Sequence, residues 1–175
     1  MPEFRITKYD PRHRNAEGAY TRDEWTAFSH IGREFDGQVL TDAEYRRVEE
    51  AYVAVALAFL REAGCHALVA QGVESAGGSI YAPAEGERLS LVRLGDVIRR
   101  ILREEFWCRL QGDNGFIHIG WDYYLYLGVE QECPEARRLA AERGLFVEPC
   151  ASPYHPEPDQ QDQAVAGPMS GQAQT

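Results

Sequence analysis

The chain has 175 residues, of which 28 are acidic and 18 are basic, so its formal net charge at pH 7 is -10. This length and a hydrophobic content of 44% exclude a wholly disordered chain and favour one folded domain with its own core. Because nucleic acids are bound through clustered basic side chains, the acidic balance argues against a nucleic acid partner. All the basic residues except Lys8 are arginines, which form bidentate pairs with carboxylates.

The first half of the chain predicts one strand and one long helix. Alternating apolar and polar residues indicate a strand over 4–9. Residues 11–40 show no clean period, so we expect mostly irregular structure there. Thr41 and Glu44 have the spacing of a capping box, and an apolar stripe follows them until Gly64, which is suited to end a helix.

The second half predicts short elements in quick succession. They are a strand over 65–71, a glycine-rich connection over 72–89, a helix over 91–105, strands over 106–111, 116–121 and 124–130, a helix over 134–144 and a strand over 145–147. Gly112-Asp113-Asn114-Gly115 is typical of a hairpin turn. The order predicts an α+β fold, a two-layer sandwich of about three helices on a largely antiparallel sheet.

The C-terminal sequence differs from the rest in composition. From Ala151 onwards it has four prolines, five glutamines and little to bury. We therefore predict a single α+β domain over 1–150 and a disordered Pro/Gln-rich tail over 151–175. The tail holds three acidic residues and no basic ones, so the domain keeps most of the negative charge.

The compartment and the redox state can also be predicted. The N-terminal sequence has no apolar run behind a basic stretch, and the longest apolar run, 51–60, is too short to cross a bilayer. We expect a cytoplasmic protein with no membrane partner. The cysteines and histidines lack the spacing of a metal site, so we expect free, mostly buried thiols, no metal and no cofactor.

Strand periodicity separates two faces of the predicted sheet. One parity over 116–129 is apolar, includes Trp121 and should meet the helices. The other parity mixes aromatic and hydrogen-bonding side chains and predicts an open face suited to binding a partner. Together with a tryptophan from the irregular segment, the candidate binding residues are Arg5, Tyr9, Trp25, Trp107, Arg109, His118, Asp122, Tyr124 and Tyr126. Alternatively, Trp25, Phe28 and Phe35 pack over this face and form a second small core.

No catalytic motif is present. The sequence lacks G-x-S-x-G, a P-loop and G-x-G-x-x-G, so we predict no catalytic residues and favour binding over catalysis. The alternative is a small enzyme or ligand-binding domain with a pocket between the 72–89 loop and the open face. Such a pocket should bring together at least two of Glu104, His118, Asp122 and Tyr124.

Three stretches of the chain resemble a group of small bacterial proteins. They are RITKYDP at 5–11, DEWT at 23–26 and WDYY at 121–124. Some members of that group look like immunity-type proteins, which neutralise a toxin by binding it. The resemblance implies a stoichiometric inhibitory function without catalytic residues.

The acidic charge agrees with such a function, because inhibitors of nucleases often oppose a basic cleft with carboxylates. We therefore expect an acidic and aromatic surface that binds a basic protein partner, such as a toxin or a nuclease. Homodimerisation through the same face is a third hypothesis.

Overall fold

A computed structural model describes residues 1–75 and 77–155. Its three α-helices and seven-stranded antiparallel sheet confirm the predicted α+β sandwich. The helices are α1 (Asp42–Glu62), α2 (Leu91–Leu102) and α3 (Pro134–Glu142). The strands are β1 (Glu3–Thr7), β2 (Glu34–Phe35), β3 (Gln38–Val39), β4 (Ala67–Glu74), β5 (Arg88–Ser90), β6 (Trp107–Gly112), β7 (Gly115–Ile119), β8 (Leu125–Val129) and β9 (Phe146–Pro149).

The sheet joins the two ends of the chain. Its strand order is β5-β4-β6-β7-β8-β1-β9, so β1 lies between two strands from the C-terminal half, while β2 and β3 form a separate hairpin. The hairpin predicted at 112–115 connects β6 and β7. Neither Asn114 nor Gly115 has the positive φ that an Asn-Gly pair readily adopts in a hairpin turn.

Helix α1 begins and ends where its sequence predicts. The Thr41 hydroxyl accepts a hydrogen bond from the Glu44 amide at 3.2 Å. The Glu44 carboxylate, however, pairs with Arg47 instead of returning to the cap. Gly64 follows the helix with a φ of 70°, the left-handed conformation that glycine adopts without strain.

A buried carboxylate joins α1 to α2. Glu49 of α1 is 1% exposed and receives two hydrogen bonds from Arg103, at 2.6 and 2.7 Å, while Arg99 lies 3.4 Å away. Burying this carboxylate is tolerated because it is paired bidentately. The pair fixes the end of α2 and therefore the position of Glu104 and Glu105 just beyond it.

Several aromatic side chains lie elsewhere than the strand pattern predicts. Trp25 packs against Tyr45 and Tyr123 in the main core, with ring centroids 5.5 and 5.0 Å apart, so it lies outside the open face. Phe28 also packs on Tyr45. Trp121 is 68% exposed instead of facing the helices, because β7 ends at Ile119 and the chain turns there.

Other features of the described part bear on the expected compartment. Three cysteines, Cys65, Cys108 and Cys133, are buried, and all four thiols are free, as expected. Among the described residues, no helix is both long enough and apolar enough to cross a membrane.

Gly128 offers a test of the packing on the open face. It lies opposite Phe116, and a Cβ at position 128 would be 2.2 Å from Cε1 of that ring. The ring is buried and stacked on His118. We expect Gly128→Ala to lower the free energy of unfolding by about 1–3 kcal/mol, measured by urea denaturation.

The matched control is Gly77→Ala, since nothing in the described part lies within 4 Å of a Cβ at that position. We expect it to change the free energy of unfolding by less than about 0.5 kcal/mol. Equal stability of Gly128→Ala and the wild type would contradict the tight contact with Phe116.

Candidate functional site

The middle of the open face is covered by residues 150–155, which follow β9. The amide of Ser152 donates to Oε2 of Glu3 at 2.9 Å, and the His155 ring lies 3.0 Å from the same oxygen. The Cys150 amide donates to the Glu3 carbonyl. The first five residues of the predicted tail therefore lie against β1, while 156–175 fall outside the described residues.

Tyr154 extends this cover over the aromatic side chains of the sheet. Its ring centroid is 6.0 Å from that of Trp107 and 5.8 Å from that of Tyr126. Its hydroxyl lies over Gly120, where a Cβ would approach it to 2.8 Å. Two candidate binding residues, Trp107 and Tyr126, thus contact the chain's own C-terminal segment.

His118 is fully buried under this cover. The Gln111 amide nitrogen lies 2.7 Å from Nε2 of the ring and Ser152 Oγ lies 2.7 Å from Nδ1. Because the amide donates to Nε2, the ring proton resides on Nδ1 and is donated to Ser152 Oγ, which also accepts from the Tyr154 amide. Ser152 is an acceptor here, so the pair does not form an activated nucleophile. Burial lowers the pKa of His118 to about 4.

Arg109 lies beside His118 and has no ion pair within residues 1–75 and 77–155. Its Nε is buried and has no hydrogen-bond partner in that part of the chain. Its guanidinium lies close to Gly72, where a Cβ would be 3.3 Å from the terminal nitrogen.

The turn that connects β7 to β8 separates two cavities. The Tyr52 hydroxyl of α1 accepts from the Lys8 amide at 2.8 Å and donates to the Tyr123 carbonyl at 2.9 Å. The Tyr9 hydroxyl is 3.0 Å from the Asp122 carbonyl, to which it donates. Residues 121 and 123 line one cavity, and residues 122 and 124 line the other.

The first cavity, which we call the carboxylate pocket, has a volume of about 470 Å³. It opens between the end of α2, the residues Glu74, Ser75 and Gly77, and the turn. Its described lining includes three carboxylates and no Lys or Arg. The residues are Thr26, Ala27, Glu74, Ser75, Gly77, Ile101, Leu102, Glu104, Glu105, Phe106, Trp107, Ile119, Gly120, Trp121 and Tyr123.

Only one of the three carboxylates of this pocket forms an ion pair with a described residue. Glu105 pairs with Arg100 at 2.7 Å, whereas Glu74 and Glu104 have no ion pair within the described ranges. Glu104 adopts a left-handed conformation with a φ of 61°, which costs a non-glycine residue free energy. Two negative charges therefore remain at the mouth of the pocket, where Trp121 is exposed.

The inner wall of the carboxylate pocket is rigid and aromatic. The Trp107 indole donates to the Ile119 carbonyl at 2.8 Å, which fixes its ring. Tyr123, also left-handed with a φ of 65°, has a buried hydroxyl without a hydrogen-bond partner in the described part. Burial raises the pKa of this phenol, and the neighbouring Tyr45 raises it further. Tyr123 is therefore neutral at physiological pH.

The second cavity, which we call the arginine–tyrosine cleft, has a volume of about 520 Å³. Three arginines and four tyrosines line it, with two carboxylates. The residues are Arg5, Tyr9, Arg14, Gly18, Ala19, Tyr20, Arg22, Glu24, Thr26, Asp122, Tyr124 and Tyr126. Within it, Arg5 and Arg14 both bond to one oxygen of Glu148, at 3.1 and 3.0 Å.

The nine predicted binding residues lie in four different places in the structure. Five line the cleft: Arg5, Tyr9, Asp122, Tyr124 and Tyr126. Trp107 lines the carboxylate pocket, Arg109 and His118 lie in the covered middle, and Trp25 is in the core. Four residues that line the cavities were not among the predicted binding residues, because none of them belongs to the strand parity that we assigned to the open face. They are Glu74, Trp121, Arg14 and Tyr20.

Two of the four groups named for an enzyme, Asp122 and Tyr124, line the same cavity, whereas the other two lie elsewhere. Glu104 lines the carboxylate pocket, His118 is buried beneath Ser152, and only Asp122 and Tyr124 share a cavity. Within residues 1–75 and 77–155, no three His, Cys, Asp or Glu side chains are placed to hold a metal ion. A pocket does exist beside the 72–89 segment, but its chemistry is that of carboxylates and aromatic rings.

No family model, no curated protein and no solved structure matches this chain. The function must therefore be argued from the chemistry of the two cavities.

Burial of His118 predicts a pH-dependent stability. The unfolded chain takes up this proton near the ordinary pKa of 6.5, whereas the folded protein takes it up only near 4. The contribution of neutral His118 to the free energy of unfolding is therefore present above pH 6.5 and is lost as the pH falls from 6.5 towards 4. Between about pH 7.5 and about pH 5, we expect a loss of about 2 kcal/mol, measured by urea unfolding.

The pH-dependent loss should disappear in His118→Gln, whatever the absolute stability of that variant. His66→Gln, which changes an exposed histidine, should keep the wild-type loss. The same pH dependence in the wild type and in His118→Gln would contradict the assignment.

The Tyr52 hydroxyl can be tested in the same way. Tyr52→Phe would leave the Lys8 amide and the Tyr123 carbonyl without this partner in a buried site. We expect a loss of about 1–3 kcal/mol in the free energy of unfolding and faster hydrogen exchange of the Lys8 amide. Tyr81→Phe, at an exposed tyrosine, should change neither quantity.

Proposed function

We propose that this protein is a stoichiometric, immunity-type binding protein whose carboxylate pocket receives a basic side chain of a protein partner. The observation that supports this most directly is a concave, aromatic-walled pocket with three carboxylates and no described basic residue in its lining. A Lys or Arg side chain is the group that such a pocket complements in charge.

The binding energy would come from partly desolvated charge pairs and from aromatic contact. Glu74 and Glu104 have no ion pair in the described part of the chain, so neither has to break one to receive a cation. A guanidinium between these carboxylates would also lie near the ring of Trp121 or Trp107, an arrangement worth about 0.5–2 kcal/mol. Exposed Trp121 is the type of residue that dominates protein interfaces.

The net charge supports the same kind of partner. A value of -10 attracts basic proteins over a distance and raises the rate of encounter, an effect that weakens as salt is added. The RITKYDP, DEWT and WDYY stretches resemble a group of small bacterial proteins, some of which look like immunity-type proteins, and this is in keeping with inhibition by binding. A basic toxin or nuclease is the partner that this combination favours.

The second candidate function is binding of a small organic cation in the same pocket. The observation that favours it is the pocket's position beside the 72–89 segment and its volume of about 470 Å³, which is in the range of small-molecule sites. A guanidinium compound such as arginine methyl ester would then bind without any protein partner.

The proposal is tested by capture and titration. The full chain, immobilised, should retain one basic protein from cells of the source organism at about 50 mM NaCl and less of it at about 300 mM. With that protein purified, calorimetry should show a one-to-one complex. We expect Trp121→Ala to weaken it by about 2 kcal/mol, roughly 30-fold in Kd. Replacing Glu74, Glu104 and Glu105 together by Gln should remove most of the salt dependence.

The matched control replaces Glu17, Glu34 and Glu130 by Gln. These residues are exposed, lie outside the lining of the pocket and change the net charge equally. The control should bind nearly as the wild type does. Equal weakening by both triple variants would show that only overall charge matters, and absence of any basic partner would remove the proposal's main support.

A further inference from the structure

The arginine–tyrosine cleft has the features of a second ligand site, opposite in charge to the carboxylate pocket. We propose that it binds a small planar molecule that carries an oxyanion, a phosphate or a carboxylate, at one end and a hydrogen-bond donor at the other. Apart from Thr26, which lines both cavities, the site uses different side chains from the carboxylate pocket, so this binding does not depend on the function proposed above.

The oxyanion end is indicated by two arginines that share a single counter-ion. Arg5 and Arg14 both bond to Oε2 of Glu148, at 3.1 and 3.0 Å, so one positive charge is in excess at this end of the cleft. Both guanidiniums are largely buried, with 19% and 12% of their side chains exposed. An excess charge in such a position is stabilised by an anion.

Arg14 is also incompletely hydrogen-bonded. Its Nε is buried without a partner in the described part of the chain. One terminal nitrogen is held only by long bonds, at 3.4 Å to the Tyr124 hydroxyl and 3.5 Å to the Gly18 carbonyl. Contacts of this length are at the limit of a hydrogen bond, so an oxyanion would exchange weak acceptors for strong ones.

The walls of the cleft suit a planar body. The Tyr124 ring centroid lies 4.9 Å from the Arg5 guanidinium and 5.6 Å from that of Arg14. The Tyr9 ring is 5.3 Å from Tyr124 and 5.0 Å from Tyr20. These rings form one aromatic cluster next to the arginines, in which Tyr9 is buried and tilted by 69° to Tyr124. The partly exposed rings of Tyr20 and Tyr124 are therefore the ones that a planar ligand would contact, and the volume of about 520 Å³ is in the range of small-molecule sites.

The lining of the cleft also includes a carboxylate without an ion pair. Asp122 lines the cleft and has no ion pair with any described residue, although the field of Arg5 reaches it. The other charges at the rim are paired, Lys8 with Glu24 and Arg22 with Asp36. The uncompensated groups are therefore the arginine pair and Asp122, which fit an acceptor and a donor on one ligand.

The test is calorimetry on the full chain with four probes: GMP, guanosine, 4-aminobenzoate and inorganic phosphate. We expect GMP or 4-aminobenzoate to bind with a Kd below about 1 mM, and the tighter of the two identifies the oxyanion as phosphate or carboxylate. Guanosine and inorganic phosphate should each bind at least about tenfold more weakly. Binding of phosphate as tight as that of GMP would overturn the planar part of the proposal, and failure of both larger probes would overturn it entirely.

Variants assign the binding to the cleft. Arg14→Gln should weaken the bound probe at least about tenfold, and Asp122→Asn should weaken it about threefold or more. Arg12→Gln is the matched control, because Arg12 is 85% exposed and lies outside the lining. Equal weakening by Arg12→Gln would contradict the site.

A measurement on the wild type keeps the proposal testable if a variant fails to fold. Amide chemical shifts on adding the probe should change at residues 14, 20 and 124. Changes confined to residues 104 and 121 would place the probe in the carboxylate pocket and overturn the assignment. The variant with Gln at 74, 104 and 105 should bind the probe as the wild type does, whatever the outcome for the protein partner.

Discussion

The Tyr52 hydroxyl holds the turn on which both cavities depend. It projects from the middle of α1, accepts from the Lys8 amide just after β1 and donates to the Tyr123 carbonyl in the 120–124 turn. The helix layer thereby fixes a stretch of chain that belongs to neither β7 nor β8. Because alternate residues of that turn serve opposite cavities, one buried bond positions Trp121 on one side and Asp122 on the other.

The two cavities differ in charge: carboxylates line the first, whereas three arginines contribute to the lining of the second. The Glu49–Arg103 pair holds the end of α2, so that Glu104 and Glu105 lie at the mouth of the carboxylate pocket. On the other side of the turn, two arginines converge on Glu148 of β9. The negative net charge of -10 is therefore not spread evenly over the surface, and the two cavities proposed as ligand sites differ in the charged side chains that line them.

Local sequence signals predicted the helices and the apolar face of the sheet, because caps and periodicity act between neighbouring residues. They could not predict the exposure of Trp121, which depends on the left-handed conformation of Tyr123. Nor could they predict that residues 150–155 bind the sheet. The composition of that segment is typical of a tail, but Ser152 finds Glu3 and His118, partners far away in sequence. Of the five candidate residues that line the cleft, only Arg5 and Tyr126 lie in strands, where they are cross-strand partners, and the other three reach the cleft from the segments that flank those strands.

The covered middle of the sheet explains why the two sites are separate. His118 and Arg109 occupy the central strands, where an open face would have offered one continuous aromatic and polar surface. Ser152 accepts the proton of His118, and the Tyr154 ring lies over Trp107 and Tyr126, so the chain itself covers this part of the sheet. Arg109 nevertheless keeps a buried Nε that has no hydrogen-bond partner in the described part of the chain. The two cavities proposed as ligand sites lie beside the turn that follows β7, where Glu104 and Arg14 carry charges that the fold leaves incompletely compensated.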